Sequence, residues 1–94
     1  MEARERSVWT TVTAATIRSE RAARTWSREE LAEASGIPLG TLRRLESGDR
    51  VQDVTQIARV AAAFGTTMST FFERAETRLP EVDAGKPKDK IVQP

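Results

Sequence analysis

The sequence predicts an all-α domain of five helices, and three observations predict it. Apolar residues recur at helical spacing, no segment keeps the period-two alternation of a half-buried strand, and turn residues fall between the periodic stretches. A length of 94 residues fits one small domain. The reading divides it into an N-terminal arm (1–7), a folded unit (8–78) and a flexible C-terminal tail or linker (79–94). Three prolines, a glycine and all three lysines (Lys86, Lys88, Lys90) crowd that last segment, which holds few apolar groups to offset chain entropy.

The first helix is expected from Val8 to Arg24, with Trp9, Val12, Thr13 and Ile17 on one face and Arg18, Arg21 and Arg24 further on. Its threonines are poor helix formers, so packing must hold it. Ser27-Arg28-Glu29-Glu30 reads as a capping box that opens the second helix, which stops at Gly36. Pro38 suits the entry to a third helix, Leu39 to Ser47, with Leu42 and Leu45 inward and a turn at Ser47-Gly48-Asp49-Arg50. Asp53 caps a fourth helix carrying Val54, Ile57, Val60, Ala61 and Phe64, which breaks at Gly65. Thr67 caps a fifth, with Met68, Phe71 and Phe72 as its apolar residues.

Composition then narrows the chemistry. With no Cys and no His the chain has no thiol nucleophile, no Ser-His-Asp triad and none of the usual zinc-ligand sets, so an enzyme is the least expected class. No cofactor and no metal are implied. No apolar run is long enough to span a membrane, and the opening Met-Glu-Ala-Arg-Glu-Arg does not read as a signal peptide, so a cytoplasmic setting is expected. The net charge of +1 gives little overall pull toward nucleic acid. Any such binding must therefore come from where the arginines sit.

The informative span is Arg28 to Ser47, two short helices joined by a three-residue turn. Such a unit needs a small residue at closest approach, a glycine in the bend and large apolar groups on the inner side of the second helix. Ala32, Gly36, Ile37, Leu42 and Leu45 meet those needs. If Leu42 and Leu45 face inward, then Gly40, Arg43, Arg44 and Ser47 form an outward stripe. Arginine on such a stripe can pair with guanine O6 and N7. It also suits solvent near a helix C-terminus, where positive charge meets the dipole.

Here the sequence resembles the lambda repressor-like helix-turn-helix domains of the Xre type over roughly residues 13 to 75. The matching segments are Ile17-Arg18-Ser19-Glu20-Arg21, Trp26 to Ala32, Gly36 to Gly48, and Ile57 to Gly65. The resemblance implies a third helix in the major groove of double-stranded DNA, with base contacts from Leu39, Gly40, Arg43 and Arg44. For Arg43 a phosphate is an equal alternative. Phosphate contacts fall to Ser27, Arg28, Thr41, Ser47, Gly48 and Arg50. Arg21 and Glu46 occupy the positions of an ion pair that fixes the recognition helix, with a phosphate also in reach of Arg21. The chain departs from the family at Leu39 and Gly40, where Gln, Ser, Thr or Lys is common. Trp26 replaces the usual leucine and is expected in the core or as a staple, while Trp9 with Val12 is expected to pack over the first helix.

The function expected is a sequence-specific transcriptional regulator, a repressor that occupies operator DNA. Three other readings stay open: an antitoxin with a protein partner on its tail, the DNA-binding half of a longer repressor, and a protein-interaction module without base readout. A homodimer through the fifth helix (Met68, Phe71, Phe72) is a further partner expectation, second to a core role for those residues. No membrane partner is expected.

Overall fold

The computed structural model describes residues 7–80. The predicted arm, apart from Ser7, and residues 81–94 of the predicted tail lie outside the described residues. Five helices follow in order: α1 (Val8–Ala23), α2 (Arg28–Ser35), α3 (Leu39–Ser47), α4 (Val54–Ala63) and α5 (Met68–Glu76). No strand occurs among the described residues. Their starts follow from local chemistry. Ser7, counted with the arm in the sequence, caps α1 through a hydroxyl that accepts from Thr10 N–H. Ser27 and Glu30 close the expected capping box on α2, Asp53 and Gln56 close a second on α4, and Thr67 accepts from Thr70 N–H at the start of α5. Each such cap satisfies a donor that the helical ladder leaves open.

The core is shared rather than belonging to one helix pair. Ile17, Leu31, Ile37, Leu42, Leu45, Ile57, Val60, Phe64 and Phe71 pack into one cluster, with Trp26, Met68 and Phe72 against its edge. Burying each large side chain contributes about 1.5–3 kcal/mol, which matters in a domain this small. α1 packs on α3 and α5, α2 on α3 and α4, and α4 on α5. α3 is thus gripped from two sides, with its outer face left to solvent.

Three differences from the sequence expectation have physical reasons. Thr10, Thr13 and Thr16 are buried on α1, so its inner face is partly polar. Thr16 donates to Val12 O at 2.7 Å and accepts from Arg78 Nε at 3.2 Å, which satisfies the hydroxyl inside. Trp9 is 43% exposed, and its ring stands edge-on to that of Phe72 at 6.5 Å. Leu79 and Pro80, assigned to the tail, have helical backbone. Trp26 does join the core, stacked on Phe64 at 5.9 Å, while the Arg24 guanidinium lies over the Phe64 ring at 4.7 Å.

Helix ends show one strained position. Gly36 ends α2 with φ of 77°, as its lack of a Cβ permits. Thr25, between α1 and α2, also has a positive φ of 55° although it is β-branched. Trp26 N–H bonds Arg21 O and Thr25 N–H bonds Ala22 O, the pattern of a helix end that usually carries glycine. Replacing Thr25 by Gly should raise stability by about 1 kcal/mol, whereas Gly36→Ala should lower it by a similar amount. Urea unfolding of both variants checks this; equal signs would contradict the backbone argument.

Candidate nucleic-acid interface

α3 presents two chemically different sides. Leu42, Leu45 and Glu46 are fully enclosed, while Gly40, Arg43, Arg44 and Ser47 are exposed, the stripe that helical spacing predicts. Leu39 and Thr41 are half-buried at its start. The two arginines face solvent because the inner positions go to leucine at three-residue spacing, and α1 and α2 cover that side.

The two ends of α3 are treated unequally. At the C-terminal end, three carbonyls that the ladder leaves open are taken by side chains: Ser47 Oγ donates to Arg44 O, Gln52 Nε2 to Leu45 O, and Arg18 NH1 to Glu46 O. At the other end, Pro38 offers no side-chain cap, and the ladder begins only with Leu42 N–H on Pro38 O at 2.9 Å. The N–H groups of Leu39, Gly40 and Thr41 therefore precede it at the positive end of the dipole, an arrangement suited to an anion. Gly40 adds open space, since a Cβ built there meets nothing within 4 Å.

Behind this face lies a buried charge. Glu46 is 1% exposed, and Arg21 donates Nε to its Oε2 at 2.8 Å and NH2 to its Oε1 at 3.1 Å. Arg21 NH1 goes to Trp26 O at 2.9 Å, so this guanidinium binds α1, α3 and the approach to α2 together. Arg28 adds Nε to Glu46 Oε1 at 2.9 Å. Two guanidinium groups thus meet one carboxylate, and Arg18 meets the main-chain carbonyl of the same residue, where α1, α2 and α3 converge.

The other expected phosphate contacts fall in separate places. Ser27 Oγ accepts from Glu30 N–H as a cap and keeps its own proton for another acceptor. Ser47 Oγ is engaged with Arg44 O and with Asp49 N–H, and Gly48 is buried under Ala14. Thr41 and Arg50 line one open cleft of about 250 Å³ with Pro38, Asp53 and Arg59. Arg18 and Arg59 were not singled out from sequence for this face. Arg18 could have been found from its spacing of three before Arg21, which puts both on the α3 side of α1.

A helix-turn-helix family model matches residues 17–71, more than half of the chain. The chain belongs to the lambda repressor-like helix-turn-helix family. The match spans α1 from Ile17 through Phe71 of α5, and so includes all the residues of the interface just described. No curated protein and no solved structure matches the chain. Membership makes it a DNA-binding, helix-turn-helix regulatory domain of the Xre type. No helix among the described residues is long and apolar enough to cross a membrane.

Breaking the buried pair tests its role. Glu46→Ala leaves Arg21 and Arg28 facing each other without the carboxylate and should lower stability by about 2–4 kcal/mol. Thermal unfolding measures the loss; tighter DNA binding at an unchanged melting temperature would overturn the structural role of the pair.

Proposed function

We propose that this helix-turn-helix chain is a sequence-specific transcriptional repressor that works by occupying operator DNA, with α3 in the major groove. The observation that carries the reading is the exposed pair Arg43 and Arg44 on a helix whose inner face is locked by Leu42, Leu45 and Glu46. A readout helix must keep its orientation while its outer side chains meet base edges. Arg44 takes a guanine in bidentate fashion, and Arg43 takes a base edge or the adjoining phosphate. Leu39 meets a thymine methyl, and Gly40 lets the backbone approach closely. Arg28, Ser27, Thr41 and Arg50 hold the phosphates on either side, with Ser47 and Gly48 at the end of α3. The chain acts through occupancy and performs no chemistry, and its setting is the cytoplasm.

Specificity in this reading rests on few side chains, so DNA shape contributes at positions no side chain reaches. Two copies on a near-palindrome would read half-sites about 34 Å apart. Met68 and Phe72 are the half-buried apolar residues of α5 that could serve such a dimer, since Phe71 lies wholly inside.

Selection from a random duplex library at low salt should enrich a short motif; failure to enrich any motif would sink the repressor reading and favour a protein-interaction module. On the enriched site Arg44→Ala should cost about 1–3 kcal/mol and relax the preference at one base pair. Binding should weaken as salt rises, with a slope set by the local arginines; a salt-independent association would exclude the electrostatic contribution.

A further inference from the structure

Among the described residues the exposed large apolar side chains are Trp9, Val51 and Val54, and the first two border one cavity. It measures about 180 Å³. Its lining comes from α1, the α3–α4 connection, α4 and α5, so it is a concave site of the kind that takes a small molecule and not a flat face. Trp9, Phe72, Val51 and Ile57 are its apolar walls, with the rings of Trp9 and Phe72 edge-on at 6.5 Å. No residue of α3 lines it, which sets it apart from the stripe of Arg43 and Arg44.

The polar groups of this cavity are few, and one of them is unsatisfied. Ser7 and Thr10 join their hydroxyls at 3.3 Å, and Gln52 donates Nε2 to Leu45 O at 3.2 Å. Thr13 differs from both. It is 3% exposed and lines the cavity, yet its hydroxyl has no hydrogen-bond partner among the described residues. Three residues further on, Thr16 is as deeply buried, and there the hydroxyl donates to Val12 O and accepts from Arg78 Nε. A buried hydroxyl without a partner carries a desolvation cost that a ligand supplying one removes. No charged side chain lines the cavity, so an ion entering it would lose hydration and meet no counter-charge.

Size narrows the class of ligand further. An apolar cavity of about 150 Å³ holds benzene. We infer that the cavity binds a small uncharged molecule of one ring bearing a hydroxyl, with the ring against Trp9 and Phe72 and the hydroxyl on Thr13 Oγ1. Gln52 lines the same cavity and holds Leu45 O, so the occupant sits beside a group that anchors the C-terminal end of α3. The site is additional to DNA reading and does not rest on it.

Phenol is the probe, since it is uncharged at neutral pH and carries its hydroxyl on a single ring. Toluene lacks the hydroxyl and benzoate carries a charge. Each is titrated into the full-length, nitrogen-15-labelled chain and followed by NMR. Phenol should shift the Trp9 indole N–H and the Gln52 side-chain amide together, with half-saturation below about 10 mM. Benzoate should bind about tenfold more weakly. Absence of the phenol shifts, or benzoate binding as well as phenol, overturns the proposal on the unaltered chain, before any variant is made. Thr13→Val then keeps the shape of the side chain and removes its hydroxyl. The ratio of phenol to toluene affinity should fall about tenfold in that variant, and its melting temperature should not fall, because the group removed had no partner. An unchanged ratio, or a clear loss of stability, overturns the assignment of the ligand hydroxyl to Thr13. Concentrating the chain without phenol should leave the Trp9 and Gln52 signals in place; shifts there would show a second copy filling the cavity, also against the proposal.

Discussion

A carboxylate taken out of water has to be met by cations and donors, and Glu46 is the place where this fold does so. Its two oxygens collect Arg21 from α1 and Arg28 from α2, and its main-chain carbonyl collects Arg18 from α1. α3 is thereby fixed to both of its neighbours by groups with directional geometry. Apolar packing through Leu42 and Leu45 supplies burial but tolerates sliding, because the hydrophobic effect has no preferred direction. Charged hydrogen bonds at one end of the helix remove that freedom. The face carrying Arg43 and Arg44 inherits a defined orientation from a residue on the opposite side.

The treatment of the two ends of α3 extends the same logic. The C-terminal end is held by Arg18, Ser47 and Gln52, each donating to a different carbonyl. The N-terminal end has proline before it, no side-chain cap and a glycine with open space. A helix anchored at one end and bare at the other keeps its unsatisfied donors where a polyanion can reach them. The stability lost by leaving that end uncapped is offset by the anchoring of the other. Thr25 shows a related compromise, since a strained backbone position is held just before the start of α2 by bonds to Arg21 O and Ala22 O.

Much of this was legible in the chain because it is local. Capping boxes, the glycine that ends α2 and the leucine spacing of α3 act within a few residues, so α2 and α3 were placed at their observed bounds. The pairing of Arg21 with Glu46 was reachable only through resemblance, since residues 25 apart carry no spacing rule. The addition of Arg28 to the same carboxylate was not reachable at all, because a long side chain at a helix start can turn toward solvent, DNA or protein with little local cost. Thr25 was invisible for a different reason: nothing in a threonine announces a left-handed backbone. The threonines of α1 were legible as weak helix formers, but the burial of Thr16 depends on Val12 O and Arg78 supplying partners.

The sequence by itself determined the class of the protein: five helices, a helix-turn-helix unit between Arg28 and Ser47, and two arginines that face outward whenever Leu42 and Leu45 face inward. Those properties follow from periodicity and turn chemistry, which are encoded over distances shorter than a helix. Tertiary structure alone decided which arginines Glu46 engages. Arg18, Arg21, Arg28, Arg43 and Arg44 are the same residue type, yet the Glu46 carboxylate takes Arg21 and Arg28, its main-chain carbonyl takes Arg18, and Arg43 and Arg44 stand exposed on α3. The reason is that charge is neutralised in space and not along the chain, so the near-zero net charge of the sequence says nothing about where the surplus stands.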